Sequence, residues 1–293
     1  MNKTVAIIGA GRVGSSVGFL LARAGYAVTA VAAQTAASRE RALAFIGAGT
    51  STADVVKASG ADIVFITTPD RSIREVCEEI ARGGGFRPGS VVLHMSGAHS
   101  VELLAAAKEV GAFRAVVHPL QSVPSMDQGV RNLPGSSFRI EADPEALGTA
   151  HELVTALGGN ELAMPGWTQD GHSLSLYHAG AVVVSNYLVA LMDFGLKFYE
   201  ALGASRNEAL AAVLPLVKGT LANIETLGIP SALTGPIVRG DVETIQGHLD
   251  AMRARAPELL DLYRALAKQT IAVAKERGLT EKQSDEMSAL LNT

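Results

Sequence analysis

The chain has 293 residues, with 25 Lys and Arg against 29 Asp and Glu, and a formal net charge of −4. This length accommodates two ordinary domains with sizeable cores. The slight negative charge, without a long run of either sign, argues against nucleic acid as a partner. The single cysteine, Cys77, cannot form an internal disulfide, so we expect a reducing, cytoplasmic setting.

The apolar segments of the sequence do not suggest a membrane protein. The segment that leads into Val5–Ile8 lacks the pattern of a signal peptide. The longest apolar stretch, residues 179–192, is interrupted by Ser185 and Asn186 and is shorter than the ~20 residues that span a bilayer. We therefore expect a buried helix there and no membrane association.

Short β-branched segments alternate with helical patterns through the first half of the chain. The strand candidates are Val5–Ile8, Ala27–Val31, Ile63–Thr67, Ser90–His94 and Ala115–Val117. The helical patterns between them are Val13–Ala24, Ser38–Ile46, Ser72–Arg82 and Val101–Val110. This alternation predicts a parallel sheet with right-handed crossovers, and therefore a doubly wound α/β domain.

The second half changes in character after Trp167. Before it, Phe138–Ile140 and Leu162–Met164 are expected to extend the sheet edge, with a helix opening near Pro144. After it, the periodicity predicts the helices Leu174–Ala201, Arg206–Leu227, Val242–Ala254 and Pro257–Arg277. We therefore predict an α/β domain over residues 1–165 and an all-α domain over residues 166–293.

A glycine-rich motif of the form G-x-G-x-x-G follows the first predicted strand and opens the first helix. It reads Gly9-Ala10-Gly11-Arg12-Val13-Gly14. Gly9 permits the tight turn, Gly11 lets a pyrophosphate approach the backbone, and Gly14 allows close helix packing. The helix N-terminus adds unpaired N–H groups for the phosphates. Although glycines also occur in turns without a ligand, this context predicts a dinucleotide-binding Rossmann domain.

The second strand ends without a carboxylate for the ribose hydroxyls, because the sequence continues Ala33-Gln34-Thr35. Hydroxyl groups and a guanidinium follow on Ser38 and Arg39, and such groups hold a 2′-phosphate by charge-assisted hydrogen bonds. We therefore predict NADP(H) as the cofactor, held at this end by Gln34, Thr35, Ser38 and Arg39. The alternative for Arg39 is a solvated helix charge.

The strand candidate Ile63–Thr67 leads into a sharp turn at its carboxyl end. Thr68 and Pro69 follow, and backbone at such a strand end borders the ligand crevice of an open α/β sheet. We expect both residues to line the cofactor cleft. Asp70 comes next and is expected to cap the following helix.

Two later strand ends carry polar residues at the same predicted edge. Of the pair His94 and Ser96, the histidine is expected to be buried and structural, and the serine to contact cofactor or substrate. His118 sits where a nicotinamide edge or a substrate would be met, and its neutral-range pKa suits proton transfer. A hydrogen bond that stabilises the loop is an equally open interpretation of His118.

Polar residues also lie on the first long helix of the second domain. His178, Ser185 and Asn186 are spaced by seven and eight residues and so share one helix face. Burying such groups unpaired costs ~1–3 kcal/mol each, so a ligand or a neighbouring helix is expected to satisfy them.

A loop punctuated by glycine and proline, residues 233–241, separates two later helices. It offers Arg239 to an anionic substrate. The alternative is a turn in which Asp241 caps the next helix and Arg239 pairs locally.

Taken together, these residues resemble the superfamily that holds 6-phosphogluconate and β-hydroxyacid dehydrogenases, ketopantoate reductase, pyrroline-5-carboxylate reductase and deazaflavin-dependent NADP oxidoreductases. The H-x-S-G segment at His94, the H-P pair at His118, the Y-H…S-N segment from Tyr177 and the T-G-P-x-x-R-G-D segment from Thr234 are similar to one branch. That branch joins a Rossmann-like domain to a DUF2520-type helical domain. The resemblance covers essentially the whole chain and implies a homodimer formed through the helical domain.

Ketopantoate reductases place a catalytic lysine on the first long helix of the second domain, with asparagines four and eight residues later. The corresponding positions here are His178, Val182 and Asn186. Asn186 implies a shared substrate platform, whereas the other two differences argue against ketopantoate as substrate. His178 would instead donate a proton to a carbonyl or imine as hydride arrives.

The sequence therefore predicts an NADPH-dependent oxidoreductase that reduces a small C=O or C=N compound. The proton would come from His178 or His118, with Ser185 and Asn186 orienting the substrate and Arg239 holding a carboxylate. No metal is expected. The alternatives are hydride exchange between NADP and a deazaflavin, or a non-catalytic NADP(H)-binding sensor.

Overall fold

An eight-stranded sheet organises the first part of the chain in the computed structural model, which describes residues 3–167 and 171–292. Its strands are β1 (Thr4–Ile8), β2 (Ala27–Ala32), β3 (Thr50–Thr52), β4 (Ile63–Ile66), β5 (Val91–His94), β6 (Phe113–Pro119), β7 (Ser137–Ala142) and β8 (Asn160–Glu161). Their order across the sheet is β3-β2-β1-β4-β5-β6-β7-β8. Every neighbouring pair is parallel except β6 and β7.

Helices connect these strands and cover both faces of the sheet. They are α1 (Arg12–Arg23), α2 (Ala36–Ile46), α3 (Val55–Ala58), α4 (Asp70–Arg82), α5 (Ala105–Glu109), α6 (Met126–Asn132) and α7 (Pro144–Ala156). Because strand side chains alternate between faces, Ile7 packs with Leu21 of α1 on one side, and Ile8 packs with Ile73 of α4 on the other. This arrangement confirms the doubly wound α/β prediction.

The strand order places a ligand crevice at one edge of the sheet. The chain winds outward from β1 to β3 and then returns to β4 on the opposite side of β1. In open α/β sheets the crevice forms outside the carboxyl ends of the strands at such a reversal. Ile8 and Ile66, the last residues of β1 and β4, pair directly and mark this point.

The rest of the chain is helical, as predicted. Its helices are α8 (Gly171–Glu200), α9 (Arg206–Leu227), α10 (Val242–Arg255), α11 (Leu260–Glu276) and α12 (Glu281–Asn292). A separate apolar core gathers residues of the helices from the end of α8 onward, including Leu249, Ile271 and Met287. The chain divides into two compact units, Met1–Ser185 and Asn186–Thr293. Our predicted domain boundary, between residues 165 and 166, stays a prediction.

The expectation of a buried helix around residues 179–192 is wrong. Helix α8 has 30 residues, of which Phe194 and Leu196 are the buried ones, and α9 buries Ala209. Large apolar side chains such as Val189 and Leu216 are exposed by 71% and 68%. By length and composition, both helices are long and apolar enough to cross a membrane. The apolar pattern predicted the two helices correctly, but it does not show whether their apolar side chains are buried within the chain.

The sheet edge also differs from the sequence prediction. The last strand is Asn160–Glu161 rather than Leu162–Met164, because Phe138 pairs with Glu161 and its carbonyl accepts the N–H of Leu162, after which pairing ends. The short strand Thr50–Thr52 and helix α12 escaped the sequence analysis altogether. Both are edge or terminal elements with few apolar residues, so they carry little periodic signal.

Candidate active site

The glycine-rich motif forms a tight turn between β1 and α1. Gly9 has a φ of +103°, and a Cβ there would lie 2.5 Å from the Thr68 nitrogen. A Cβ on Gly14 would lie 2.4 Å from the Gly9 carbonyl oxygen. A Cβ on Gly11, by contrast, would meet nothing within 4 Å, so the space above this residue is open. Two of the three glycines therefore serve close backbone packing, and the third leaves room for a ligand.

A cleft of about 560 Å³ opens over this turn, at the carboxyl ends of β1, β2 and β4. The predicted cofactor residues that line it are Gly9, Ala10, Gly11, Gln34, Thr35, Ser38, Thr68 and Pro69. Its volume suits a bound cofactor. The Thr68 hydroxyl is buried and has no hydrogen-bond partner among the described residues, which is unusual unless a ligand supplies one. The cleft therefore fits a dinucleotide.

Two arginines at the end of β2 have different surroundings. Arg39 donates from Nη1 to the carbonyl oxygens of Ala33 and Gln34, at 2.8 and 3.0 Å, and so fastens the backbone of this loop. Arg41 lines the cleft, and its Nη2 lies 3.5 Å from the Ser38 hydroxyl oxygen. Sequence reasoning chose Arg39 for the cofactor, whereas the guanidinium in the cleft wall is that of Arg41.

Other predicted cofactor residues lie beside the cleft rather than in its wall. Arg12 donates to the carbonyl oxygen of Pro124, Val13 packs against the sheet core, and Gly14 is buried. Their roles toward a cofactor stay predictions. Arg71 and Ser72, at the start of α4, line the cleft and were not selected from the sequence. Their position shortly after Pro69, which follows the carboxyl end of a strand, could have identified them from the sequence.

A hydrogen-bonded cluster continues from the cleft toward β5. The Ser96 hydroxyl donates to the Asp70 carboxylate at 2.7 Å, and the Ser96 N–H donates to His94 Nδ1 at 3.1 Å. His94 Nε2 donates to the Ser100 carbonyl oxygen at 2.9 Å, and burial lowers the pKa of His94 to about 4. His94 is thus a buried, neutral, structural histidine, as expected. Asp70 was expected to cap α4, but the N-cap residue is Pro69 and the carboxylate accepts from Ser96 instead.

His118 follows at the end of β6 and pairs with a tyrosine. Its Nδ1 lies 2.7 Å from the Tyr177 hydroxyl oxygen, and the two rings meet edge to face. A Cβ on Gly97 would lie 2.6 Å from His118 Nε2, so only glycine lets the ring approach this backbone. Burial, and next the charge of Arg139, lower the pKa of His118 to about 4. The ring is therefore uncharged near neutral pH, unlike the neutral-range histidine that the sequence suggested.

A buried arginine lies beneath this pair. The Arg139 guanidinium is 5.3 Å from the Trp167 ring centre and 5.9 Å from that of Tyr177, close enough for cation–π attraction. It donates to Glu141 at 2.7 Å and to the His99 carbonyl oxygen at 2.9 Å. Burial raises the pKa of Tyr177, so its phenol stays protonated at neutral pH. Sequence reasoning missed Arg139 and Trp167, since neither belongs to a recognisable motif.

The polar residues predicted on the first long helix are exposed. His178 follows Tyr177 on α8, and its charge contributes to lowering the pKa of His118. Ser185 and Asn186 lie further along the same helix and are also exposed. Water can therefore satisfy these groups, and a ligand is not required to do so. Their roles in binding or proton transfer stay predictions.

Arg239 lies in the second unit, in the loop before α10. Its guanidinium is 3.7 Å from the Asp241 carboxylate and is largely exposed. Asp241 caps α10 by accepting the N–H of Thr244 at 3.1 Å. The local pairing that we considered as an alternative is therefore present, and substrate binding by Arg239 stays a prediction.

Two family models match the chain. A Rossmann-like domain matches residues 2–119, and a domain of unknown function, DUF2520, matches residues 136–270. No curated protein sequence matches it.

Solved structures share the fold along nearly the full length. A Bacteroides fragilis protein, provisionally named an NADP oxidoreductase, has 20% identity and a TM-score of 0.71, over 92% of this chain and 98% of its own. The pyrroline-5-carboxylate reductase of Coxiella burnetii has 18% identity and a TM-score of 0.59, over 96% and 100%. An imine reductase variant of Myxococcus stipitatus, in complex with NAD+, has 18% identity and a TM-score of 0.55, over 100% of both chains.

The TM-scores, together with the coverage, establish a common fold. The family matches cover the two parts of the chain in the expected order, the Rossmann-like part first. The chain therefore joins a Rossmann-like domain to a DUF2520 domain, and it shares its fold with proteins such as the pyrroline-5-carboxylate reductase of Coxiella burnetii.

Proposed function

We propose that the protein is an NADP-dependent oxidoreductase that reduces a small C=O or C=N compound. The main support is a continuous series of contacts along the carboxyl edge of the sheet. It runs from Pro69 in the dinucleotide cleft through the adjoining Asp70 to its partner Ser96. From there Gly97, the next residue, lies against the His118 ring, which pairs with Tyr177. When bound, NADPH supplies a hydride to the substrate carbon. Tyr177, which contacts His118 at this edge of the sheet, supplies the proton.

The adenosine end of the cleft favours a 2′-phosphate. The loop after β2 has no carboxylate to hold ribose hydroxyls, and Thr35, Ser38 and Arg41 line it instead. A guanidinium beside hydroxyl groups is a suitable phosphate site. The variant Arg41→Gln should weaken NADPH binding by roughly tenfold, because it removes a charge-assisted hydrogen bond. Its affinity for NADH, which lacks the phosphate, should not change.

Tyr177 is the proton donor in this proposal. With its proton on Nδ1, the neutral His118 ring donates to the phenol oxygen and leaves the phenol hydrogen available to substrate. As the substrate carbon accepts hydride, its oxygen or nitrogen takes the proton from Tyr177. The His118 N–H and the nearby Arg139 charge stabilise the phenolate that forms. Solvent then returns a proton to Tyr177.

Turnover with a panel of small ketones, imines and one permanently charged N-alkyl iminium ion tests this proposal. Hydride transfer to the iminium ion gives an amine without any proton donor. The variant Tyr177→Phe should therefore lose at least roughly a hundredfold in kcat on ketones and imines, and keep its activity on the iminium ion. If His178→Ala shows that selective loss and Tyr177→Phe does not, His178 is the donor. NADPH binding without turnover of any compound would indicate a non-catalytic sensor.

We also propose a homodimer in which α8 and α9 of two copies cover each other. A helix of 22 residues that buries one of them gains little stability from its own chain. Helix α9 exposes several leucines, namely Leu210, Leu214, Leu216, Leu221 and Leu227. So many exposed apolar side chains on one helix are typical of an interaction surface, whereas single ones are common on any protein. We favour a second copy over a lipid bilayer because polar residues interrupt both helices, and we propose a cytoplasmic location.

Sedimentation of the purified protein tests this assembly. The wild-type chain should sediment as a dimer, and Leu216→Asp should dissociate it, since a carboxylate would be buried. Thr226→Asp, which adds the same charge to the same helix at an exposed polar position away from the face of Leu216, should leave the dimer intact. A wild-type monomer that floats with phosphatidylcholine vesicles would contradict the proposal and favour a membrane.

A further inference from the structure

A second cavity, of about 510 Å³, lies entirely within the helical unit. The end of α8 and helices α10 and α11 form its wall. The wall is mostly apolar and aromatic, with side chains that include Phe198, Leu202, Met252 and Tyr263. A concave apolar cavity of this size with a few polar groups is the usual form of a small-molecule site.

A histidine–tyrosine pair contributes polar groups to the wall of this cavity. The Tyr263 hydroxyl oxygen lies 2.8 Å from His248 Nδ1, and burial raises the pKa of this tyrosine, so the phenol keeps a hydrogen that it can donate to the ring. A neutral imidazole that accepts at Nδ1 carries its proton on Nε2. With Tyr263 as the donor, His248 keeps one N–H available to a ligand.

Arg255 adds a positive charge to the same wall. It donates to the Ala201 carbonyl oxygen at 3.2 Å, and no carboxylate forms an ion pair with it among the described residues. Arg253, two residues earlier on α10, pairs with Asp250 and does not line the cavity. A guanidinium without a carboxylate at the margin of an apolar cavity is suited to an anionic group with an apolar body.

We propose that this cavity binds a small amphipathic carboxylate, with its apolar body among the aromatic and aliphatic side chains and its carboxylate held by Arg255 and His248. The proposal does not depend on the oxidoreductase function, because the cavity lies in Asn186–Thr293 and the dinucleotide cleft lies in Met1–Ser185. Because the Arg255 guanidinium repels positive charge, we expect the cavity not to bind cations.

Calorimetric titration with decanoate, without any nicotinamide cofactor, tests whether the ligand must carry a negative charge. Wild-type protein should bind one decanoate per chain, and decyltrimethylammonium, a cation with the same apolar chain, should not bind. Arg255→Gln should weaken decanoate binding by about tenfold, whereas Arg253→Gln should bind as the wild type does. Equal binding by both variants, or no binding by the wild type, would overturn the proposal.

Replacement of two alanines on α10 by phenylalanine tests where the ligand binds. Ala251 lines the cavity and Ala254 does not, and both are exposed, so a phenylalanine at either position is compatible with folding. Ala251→Phe should fill the cavity and abolish decanoate binding, and Ala254→Phe should not. Unchanged binding by Ala251→Phe would place the ligand elsewhere. If Ala251→Phe instead dissociates a dimer in sedimentation, the cavity receives a second copy of the chain and the small-molecule proposal is wrong.

Discussion

At the scale of single residues, the glycines of one motif have tasks that substitution can separate. An added methyl group on Gly14 would overlap the Gly9 carbonyl, whereas one on Gly11 would project into open space above the turn. We expect Gly14→Ala to cost about 1–3 kcal/mol of unfolding free energy through overpacking. Gly11→Ala should unfold like the wild type but bind NADPH roughly tenfold more weakly.

Thermal unfolding and a fluorescence titration with NADPH measure these two effects on the same samples. Wild-type affinity in Gly11→Ala would mean that the phosphates do not lie over this turn. Reduced stability in Gly11→Ala would mean that the space above it is not open.

His94 allows a prediction about pH. Burial holds the pKa of His94 at about 4, against an ordinary value of 6.5, so between these values the unfolded chain binds the extra proton. The unfolding free energy should therefore fall as pH decreases from 6.5 to 4. His94→Gln cannot titrate and should reduce this slope by up to ~1.4 kcal/mol per pH unit, the value for one proton. Denaturant unfolding across this range measures it, and an unchanged slope in the variant would contradict the assignment.

Sequence reasoning identified residues at the site where a backbone rule applied and missed them where packing decided. Gly9 and Gly11 were found because a tight turn and a close approach require glycine. The sequence indicates Tyr177 only as the first residue of the Y-H…S-N segment, since its contact with His118 joins positions 59 residues apart. The lowered pKa of His118 likewise comes from burial and from Arg139, which the sequence does not place nearby.

At the scale of secondary-structure elements, a buried ion pair fixes the antiparallel edge of the sheet. Arg114 of β6 donates from its backbone N–H, Nε and Nη2 to the Asp143 carboxylate at 2.9, 3.1 and 3.0 Å. Asp143→Asn should cost about 3–5 kcal/mol of unfolding free energy, because it leaves the buried Arg114 with the exposed Glu102 carboxylate as its remaining counter-charge.

Denaturant unfolding of two variants checks this value. The control is Glu152→Gln, which removes the exposed pair between Lys3 and Glu152 and should cost less than about 1 kcal/mol. Equal losses in the two variants would show that burial does not strengthen the inner pair.

Elements with a strong internal signal were predicted from the sequence almost to the residue. Helix α9 has its predicted bounds, Arg206–Leu227, because a capping box at Ser205 and Glu208 and a glycine at 228 mark its ends. Strand β8 and helix α12 were misplaced or missed, since neighbouring elements rather than local pattern define them. The same limit explains α8, whose apolar pattern predicts a helix but does not reveal that its apolar side chains are exposed.

At the scale of the whole molecule, two compact units carry separate cavities. The dinucleotide cleft depends on the strand order of the first unit, and the apolar cavity depends on the helical packing of the second. The homodimer that we propose would bury the exposed apolar side chains of α8 and α9, and it does not involve the dinucleotide cleft. Binding of NADP(H) should therefore persist in the dissociated variant Leu216→Asp.

A titration of the wild-type protein with NADPH and with NADH, followed by nicotinamide fluorescence, tests the proposed function most directly, since it needs no substrate. The phosphate site that we propose around Thr35, Ser38 and Arg41 predicts saturable binding of both, with NADPH bound at least roughly tenfold more tightly. Equal affinities would contradict the assignment of NADP, and failure of both to bind would contradict the oxidoreductase function itself.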